Sequence, residues 1–132
     1  MILQLQTSQH TQFLDITQQV QQAITELKLT QGAVLLFVRH TTAALTINEN
    51  ADPDVLQDLE TIFQRLVPWQ NNYHHNEGNS AAHMKSSLLG ASEIIPVKNG
   101  ALALGTWQGI YLCEFDGPRT RQVLVQPLSA TS

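Results

Sequence analysis

The chain has 132 residues, of which 42% are hydrophobic, and a net charge of −4. This length fits a single domain (1–132) with a hydrophobic core, and the composition excludes a disordered chain. The acidic balance leaves no basic footprint for nucleic acid, and no apolar run approaches the roughly 20 residues of a membrane span. The first residues lack the charged and apolar parts of a signal peptide. We therefore expect a cytoplasmic protein without a nucleic-acid or membrane partner.

The N-terminal third predicts two strands, a helix and two further strands. Alternating apolar and polar residues in ILQLQT predict the first strand, and TQFLDI returns as the second. Thr17 is expected to cap the helix that follows. The apolar residues of this helix recur at helical spacing: Val20, Ala23, Ile24 and Leu27. The apolar runs GAVLLFVRH and TTAALTINE then predict two more strands.

The clearest helix begins after Asp52, a residue type that caps helices, with Pro53 in the first helical position. Pro68 is expected to end it. A polar loop of twelve residues, WQNNYHHNEGNS, comes next, and a loop of this length is often functional. Asn79 or Ser80 is then expected to cap a short helix that ends near Gly90.

The rest of the chain predicts strands joined by tight turns. The turns KNG and DGPR contain Asn-Gly and Asp-Gly, which are the strongest short hairpin signals. Strands at both ends with helices between them predict an α+β fold. We expect two mainly antiparallel sheets packed as a β-sandwich, with two longer helices and one short helix.

Three histidines are the strongest candidates for chemistry: His40, His75 and His83. Three neutral imidazoles with an open fourth position form a common catalytic metal arrangement. His40 ends an apolar strand, and His83 is expected in the first turn of the short helix, where the helix dipole disfavours its charged form. The spacing matches no standard zinc motif, so a polar loop rich in histidine is the alternative.

Two polar clusters are further candidates. Glu49, beside Asn48, follows an apolar strand and could act as an acid or base or orient a histidine; the alternative is that this cluster only caps the next helix. Lys85 and Ser86 could bind phosphate together with the helix N–H groups, although a lysine on a helix is often simply solvated.

Arginine and tryptophan residues near the C-terminus complete the candidates. Arg119 and Arg121 flank a hairpin turn, and their guanidinium groups suit phosphate; on an edge strand they would instead deter aggregation. Trp107 stands between glycines in GTWQG. It could wall a flat ligand or fill the core.

Three segments together resemble the YjbQ-like family, also called the secondary thiamine-phosphate synthase family. They are RHTTAALTINENADPDVLQDLE, YHHNEGNSAAHMKSSLLGASEIIPV and GALALGTWQGIYLCEFDGPRTRQVLV, and they span roughly residues 32–126. The resemblance implies the same sandwich fold, a homotrimer and a histidine-based metal site.

The family's motifs assign residues in this chain. The histidine of H-T-[ST]-A-[AS]-L corresponds to His40, that of Y-x-H to His75, and that of H-[LMI]-K-[SA] to His83. The resemblance makes these three the metal ligands, while His74 falls at a variable position. The glutamate of N-E-N corresponds to Glu49.

The resemblance also implies a weak or secondary thiamine-phosphate synthase activity, which joins hydroxymethylpyrimidine diphosphate to a thiazole phosphate and releases pyrophosphate. The predicted catalytic residues are Glu49, Lys85 and Arg119. The predicted substrate-binding residues are Thr41, Asn48, Ser86, Thr106, Trp107, Gln108 and Arg121. Three histidines favour zinc, with magnesium as an alternative metal for turnover. The alternative functions are a non-catalytic protein that binds phosphate or small molecules, or controls metabolite damage, and a metal-dependent hydrolase.

Overall fold

Eight strands and three helices form along residues 1–129, the part of the chain that the computed structural model describes. Residues 130–132 of the predicted domain lie outside the described residues. The strands are Ile2–Gln6 (β1), Gln12–Asp15 (β2), Gln31–Val38 (β3), Ala43–Glu49 (β4), Ser92–Lys98 (β5), Ala101–Leu102 (β6), Gln108–Glu114 (β7) and Thr120–Ser129 (β8). The helices are Thr17–Glu26 (α1), Pro53–Leu66 (α2) and Ser80–Leu89 (α3).

The strands form two antiparallel sheets, which confirms the predicted fold class. One sheet has the order β1-β8-β3-β5-β6 and the other β2-β7-β4. The predicted short third helix is as long as the first, since α1 and α3 each have ten residues and α2 has fourteen. Among residues 1–129, no helix has the length and hydrophobicity that crossing a membrane requires.

The main core lies between the two sheets. Leu36 and Val123 of the five-stranded sheet and Leu45 and Leu112 of the three-stranded sheet are buried in one cluster. Because side chains alternate along a strand, the neighbours of Leu45 and Leu112 point to the opposite face. That second face packs beneath α2 and α3.

The predicted N-terminal cap is correct for α2 and wrong for α1. Asp52 caps α2 as expected, since its carboxylate accepts a hydrogen bond from the Asp54 N–H at 2.9 Å. At α1 the expected cap, Thr17, is instead the first helical residue. Its N–H and hydroxyl both donate to Asp15 Oδ1, at 2.9 and 2.6 Å, so Asp15 satisfies this helix start.

One end of the sandwich gathers the segments that carry the histidines. The connection 39–42 between β3 and β4 meets the segment after β7, where the Phe115 N–H donates to Thr42 O at 3.2 Å. The end of α3 joins the same region, because the Leu45 N–H donates to Gly90 O at 3.1 Å. Backbone hydrogen bonds thus hold three loops at one edge of the fold.

Candidate functional site

A polar cavity of about 450 Å³ opens at this end of the sandwich. Its walls come from the β3–β4 connection, the loop before α3, the start of α3, and β8 with the loop that precedes it. The lining residues are Arg39, His40, Thr41, Thr42, His75, Glu77, Asn79, His83, Asp116, Arg119 and Arg121. The structure therefore brings together six residues that the sequence singled out: His40, Thr41, His75, His83, Arg119 and Arg121. We call this space the first cavity.

His40 is held by the backbone of the neighbouring strand. Its Nε2 accepts a hydrogen bond from the Gln122 N–H at 2.9 Å, at the point where β3 has ended after pairing Val38 with Val123. A neutral imidazole that accepts at Nε2 carries its proton on Nδ1. His40 therefore offers a ligand an N–H donor.

The electrostatic surroundings of His40 favour this neutral ring. Burial and the charge of Arg121 lower the pKa of His40 below its ordinary value of 6.5. The Glu114 carboxylate opposes this lowering, and Arg39 adds to it. His40 is consequently uncharged near neutral pH.

His75 and His83 lie edge to face, with their ring centroids 5.5 Å apart. His75 comes from the loop before α3 and His83 from the first turns of α3. The two imidazole rings are therefore in contact. His74, at the variable position of the motif, is not among the residues that line the first cavity.

Arg121 forms the buried floor of the first cavity with Glu114. The guanidinium Nε donates to Glu114 Oε1 at 2.9 Å, and Nη2 bonds to Glu114 Oε2 and to the Thr42 hydroxyl, the latter at 2.8 Å. Arg121 is 3% exposed and Glu114 is fully buried. The alternative of an aggregation-deterring edge arginine is wrong, because β8 lies between β1 and β3 and the side chain faces the interior.

Glu114 remains a carboxylate despite its burial. Burial on its own would raise the pKa of Glu114, but hydrogen bonds from Arg121, Thr7 and the Asp116 N–H, together with the charge of Arg121, lower it overall. The Thr7 hydroxyl donates to Oε1 at 2.7 Å. The buried pair is therefore ionised and internally neutral.

Asp116 organises the mouth of the first cavity. Its Oδ2 accepts hydrogen bonds from Arg119 Nη2 at 3.1 Å and from Asn79 Nδ2 at 2.9 Å. Asn79 also reaches Glu77 Oε2 at 3.4 Å. Asn79 makes no side-chain cap on α3, and its Oδ1, the atom that would accept from the helix start, is buried without a partner among the described residues.

The chemistry of the first cavity suits an anion. Among residues 1–129, no carboxylate lies within ion-pair distance of Arg39, so this arginine contributes an uncompensated positive charge. Arg119 is half exposed, with its guanidinium donating to the backbone oxygen and the carboxylate of Asp116, and His40 supplies a neutral N–H donor. Guanidinium and N–H donors together recognise phosphate oxygens.

The side chains as placed do not form a three-histidine metal centre. Among residues 1–129, no group of three His, Cys, Asp or Glu side chains is arranged to hold a metal ion. His40 is not free to bind a metal ion, because its Nε2 accepts a hydrogen bond from the Gln122 N–H. That bond uses the only nitrogen lone pair that a neutral imidazole has available. His75 and His83 are close to each other, but the third nitrogen ligand is engaged elsewhere.

Lys85 and Ser86 lie on α3 beyond the first cavity. Lys85 is only 3% exposed, and its Nζ lies 5.7 Å from the centroid of the Phe115 ring. Burial lowers the pKa of Lys85, and the Glu60 carboxylate partly opposes this. The alternative of a solvated helix lysine is therefore wrong, yet Lys85 is not among the residues that line the first cavity.

A second group of predicted residues lies at the opposite end of β4. Glu49 stands seven residues beyond Thr42, so at about 3.4 Å per residue they are on the order of 20 Å apart. Glu49 pairs with Gln108 across the sheet. The other predicted residues at this end are Asn48, Thr106 and Trp107. Within one chain they do not reach the first cavity.

The residues at this far end make local contacts. Glu49 Oε2 accepts from the Ala51 N–H at 3.1 Å, and Asn48 Oδ1 accepts from the Glu49 N–H at 2.7 Å. Both contacts are to backbone N–H groups that precede α2, and the cap of that helix is made by Asp52. Trp107 is 64% exposed, so the alternative of a core tryptophan is wrong.

Sequence reasoning missed five residues of the first cavity: Arg39, Thr42, Glu77, Asn79 and Asp116. The sequence pattern indicates only a helix cap at Asn79 and only a turn at Asp116. A signal was present for two of them, since Arg39 and Thr42 flank the His40–Thr41 pair. Asp116 could be found only through the fold, because it lies 37 positions from Asn79 in the chain.

Comparison with known proteins places the chain in a family. The family model described as "UPF0047 protein YjbQ-like" matches residues 1–130. UPF0047 protein YugU of Bacillus subtilis is 52% identical over 125 residues, which cover 94% of this chain and 95% of that protein. A UPF0047 protein of Methanocaldococcus jannaschii is 48% identical over 123 residues, covering 93% and 89% of the two chains.

Solved structures agree with this relationship. A YjbQ/UPF0047 protein from Clostridium acetobutylicum superposes with a TM-score of 0.94 at 49% identity, covering 97% of this chain and 99% of that chain. A conserved hypothetical protein from Thermus thermophilus gives a TM-score of 0.91 at 43% identity, with coverage of 97% and 99%. The sequence match and the shared fold lead to one conclusion: the chain belongs to the YjbQ-like family, UPF0047.

Proposed function

We propose that the protein is an enzyme that acts on a small phosphorylated substrate in the first cavity, with thiamine-phosphate synthase chemistry as a weak or secondary activity. In that reaction the carbon–oxygen bond of hydroxymethylpyrimidine diphosphate breaks, the ring nitrogen of a thiazole phosphate bonds to that carbon, and pyrophosphate leaves. One observation carries the proposal. Three arginines and three histidines, beside the carboxylates of Glu77 and Asp116, line a single cavity in a chain whose net charge is −4.

The cationic side chains would stabilise the leaving pyrophosphate. Arg39 and Arg119 stand at the wall and mouth of the first cavity, where their guanidinium groups could each bind two phosphate oxygens. The buried Arg121 is held in place by Glu114 and forms a neutral pair with it, so it would shape the floor of the site without adding net charge. Donors held in place before the reaction stabilise developing negative charge without reorganising.

The neutral groups of the first cavity would orient the substrate and supply hydrogen bonds. His40 presents a protonated Nδ1 because Gln122 occupies its Nε2. Thr41 adds a hydroxyl, and His75 with His83 forms an imidazole wall. A proton for the departing oxygen would come from an imidazole N–H of this wall.

Zinc, the metal favoured by the sequence, stays a prediction, as does magnesium. Among the described residues, the three histidines are not arranged to hold a metal ion. To bind one, His40 would have to give up the hydrogen bond that its Nε2 accepts from the Gln122 N–H. The proposed reaction is therefore carried by the side chains of the first cavity. The predicted roles of Glu49, Lys85 and Ser86 and of Asn48, Thr106, Trp107 and Gln108 likewise stay predictions, since none of these residues lines the first cavity.

A homotrimer in the cytoplasm is also part of this proposal, and exposed apolar surface supports the assembly. Ile2, Leu124 and Phe37 align in register across β1, β8 and β3, and Ile2 and Phe37 are 48% and 42% exposed. Leu66 of α2 is 70% exposed. Contiguous apolar surface of this kind is typical of subunit interfaces, and the molar mass from light scattering would test it.

Titration of inorganic pyrophosphate into the purified protein tests the proposed function. We expect saturable binding that Arg119→Ala weakens at least about 10-fold, because a charge-assisted hydrogen bond is lost. Arg65→Ala is the matched control: Arg65 is exposed in the last turn of α2 and should leave binding unchanged. Release of pyrophosphate from the two thiamine precursors then tests turnover. Absence of pyrophosphate binding would overturn the proposal, and binding without release would favour the non-catalytic alternative.

A further inference from the structure

A second cavity of about 320 Å³ shares part of its wall with the first. Its lining residues are His40, Thr41, Ala43, His83, Ser86, Ser87, Gly90 and Ala91. Three of these, His40, Thr41 and His83, also line the first cavity. The two spaces therefore meet at a pair of imidazoles, and a ligand bound in one would contact residues of the other.

The two cavities differ in chemistry. The first is lined by three arginines and two carboxylates, whereas no Lys, Arg, Asp or Glu from residues 1–129 lines the second. Its remaining walls are small residues from β4, from the second half of α3 and from the two positions that follow α3. Such a lining disfavours a phosphate group, which needs cationic partners, and accepts a neutral organic group.

A buried hydroxyl lacks a partner at the second cavity. Ser86 is 8% exposed, and its Oγ has no hydrogen-bond partner among the described residues. The next residue shows the usual alternative, since the Ser87 hydroxyl donates to His83 O at 3.0 Å. A buried hydroxyl without a partner is unfavourable, and an acceptor atom on a ligand would satisfy it after rotation about χ1.

We propose that the second cavity is the subsite for the neutral, ring-shaped part of a phosphate ester whose phosphate binds in the first cavity. This inference rests on the proposed function and specifies its substrate class. The size agrees, because a cavity of roughly 150 Å³ already holds one benzene ring. Ser86 is the residue that selects a ring bearing a hydrogen-bond acceptor.

This arrangement locates the reacting bond. A molecule that spans both cavities passes His40 and His83 where its organic part joins the phosphate. The imidazoles thus stand beside the carbon–oxygen bond, while the arginines hold the phosphate. The division matches the proposed reaction, in which the carbon–oxygen bond breaks, pyrophosphate leaves on the side of the first cavity and the carbon bonds to the ring nitrogen of the thiazole phosphate.

Calorimetric titration with inorganic phosphate, benzyl phosphate and the three pyridylmethyl phosphate isomers tests the inference. Benzyl phosphate should bind at least about 10-fold more tightly than inorganic phosphate, because the ring is removed from water. At least one pyridyl isomer should bind about 5-fold more tightly still, through its ring nitrogen and Ser86. Ser86→Ala should abolish only the preference for the pyridyl isomer over benzyl phosphate. Ser92 is an exposed serine on β5, and Ser92→Ala should leave that preference unchanged.

A substitution that fills the second cavity provides the complementary experiment. Ala91→Leu should reduce benzyl phosphate binding to the level of inorganic phosphate and leave inorganic phosphate unaffected. Ala101→Leu, at an exposed position of β6, is the control, and Ser87→Leu replaces Ala91→Leu if that variant does not fold. Equal binding of inorganic and benzyl phosphate to the wild-type protein would overturn the inference alone. If the wild-type protein bound neither inorganic phosphate nor any of the phosphate esters, the proposed function would be overturned instead.

Discussion

Arg121 and Glu114 form a buried ion pair at the floor of the first cavity. Each partner keeps the other charged, and Thr7 and Thr42 complete their hydrogen bonds. We expect Glu114→Gln to lower the free energy of unfolding by about 3–5 kcal/mol, because it leaves the Arg121 charge buried without its partner. Urea denaturation measures this change.

The exposed ion pair at the mouth of the cavity is the control. Arg119 and Asp116 bond at 3.1 Å, but the Arg119 side chain is 51% exposed. Arg119→Ala should therefore cost no more than about 1 kcal/mol. Similar losses for Glu114→Gln and Arg119→Ala would contradict the view that burial decides the strength of the first pair.

The buried Glu114 carboxylate should make the stability of the protein depend on pH. The folded pKa of Glu114 lies below its ordinary value of 4.5, so its contribution is fully present above pH 4.5 and is lost as pH falls through the folded value. The difference in unfolding free energy between wild type and Glu114→Gln should narrow below pH 4.5, by up to about 1.4 kcal/mol per pH unit. A difference that stays constant down to pH 3 would show that this carboxyl is not responsible.

Gly117 should tolerate no side chain. A Cβ at this position would meet the backbone oxygen of Gln9 and would lie 2.7 Å from Glu114 Cγ. We expect Gly117→Ala to destabilise the protein by about 3 kcal/mol through overpacking, and thermal denaturation would measure it. At Gly105 the nearest atom is the flexible Gln108 Oε1 at 3.2 Å. Gly105→Ala should cost much less, and equal losses would refute the steric argument.

The zinc prediction can be checked by elemental analysis of the protein after dialysis against zinc. The sequence motifs imply about one ion per chain that His83→Ala removes. His10→Ala is the control, since His10 packs against Trp69 with ring centroids 4.4 Å apart and lies outside the first cavity lining. Protein without zinc would contradict the motif-based prediction and leave His40 bonded to Gln122.

Lys85 offers a test of a predicted catalytic residue. Its side chain is buried against Phe115 and does not line the first cavity. We expect Lys85→Met to leave pyrophosphate affinity unchanged and to keep or raise stability by about 1 kcal/mol, because a buried charge is replaced by an apolar chain of similar length. If Lys85→Met weakened pyrophosphate binding at unchanged stability, Lys85 would instead take part in ligand binding, as the sequence predicts.

Much of the fold could be read from local patterns. The Asn-Gly turn appears as predicted, with positive φ at Asn99 and Gly100, and Asp52 with Pro53 begins α2. These features depend on neighbouring residues only, which is why the sequence reveals them. The capping at α1 was misassigned, because Asp15 and Thr17 both have side chains that can satisfy a helix start.

The candidate site was harder to predict from the sequence, because it depends on hydrogen bonds between residues that are far apart in the chain. Thr7 and Glu114 are 107 positions apart and His40 and Gln122 are 82 apart, and no spacing rule connects them. Family motifs found the three histidines, but treated Glu49 as their companion. The strand between His40 and Glu49 already implied otherwise, since seven extended residues carry the chain from one end of a sheet to the other.

The hydrogen bond from the Gln122 N–H to His40 means that the backbone, rather than another side chain, selects the imidazole tautomer. Position 122 can then vary freely in side chain, and only proline, which lacks an N–H, would release the ring. The protonation pattern of this imidazole is thus a property of the sheet topology. It would persist in any variant that preserves the pairing of β3 with β8, whatever residue follows Arg121.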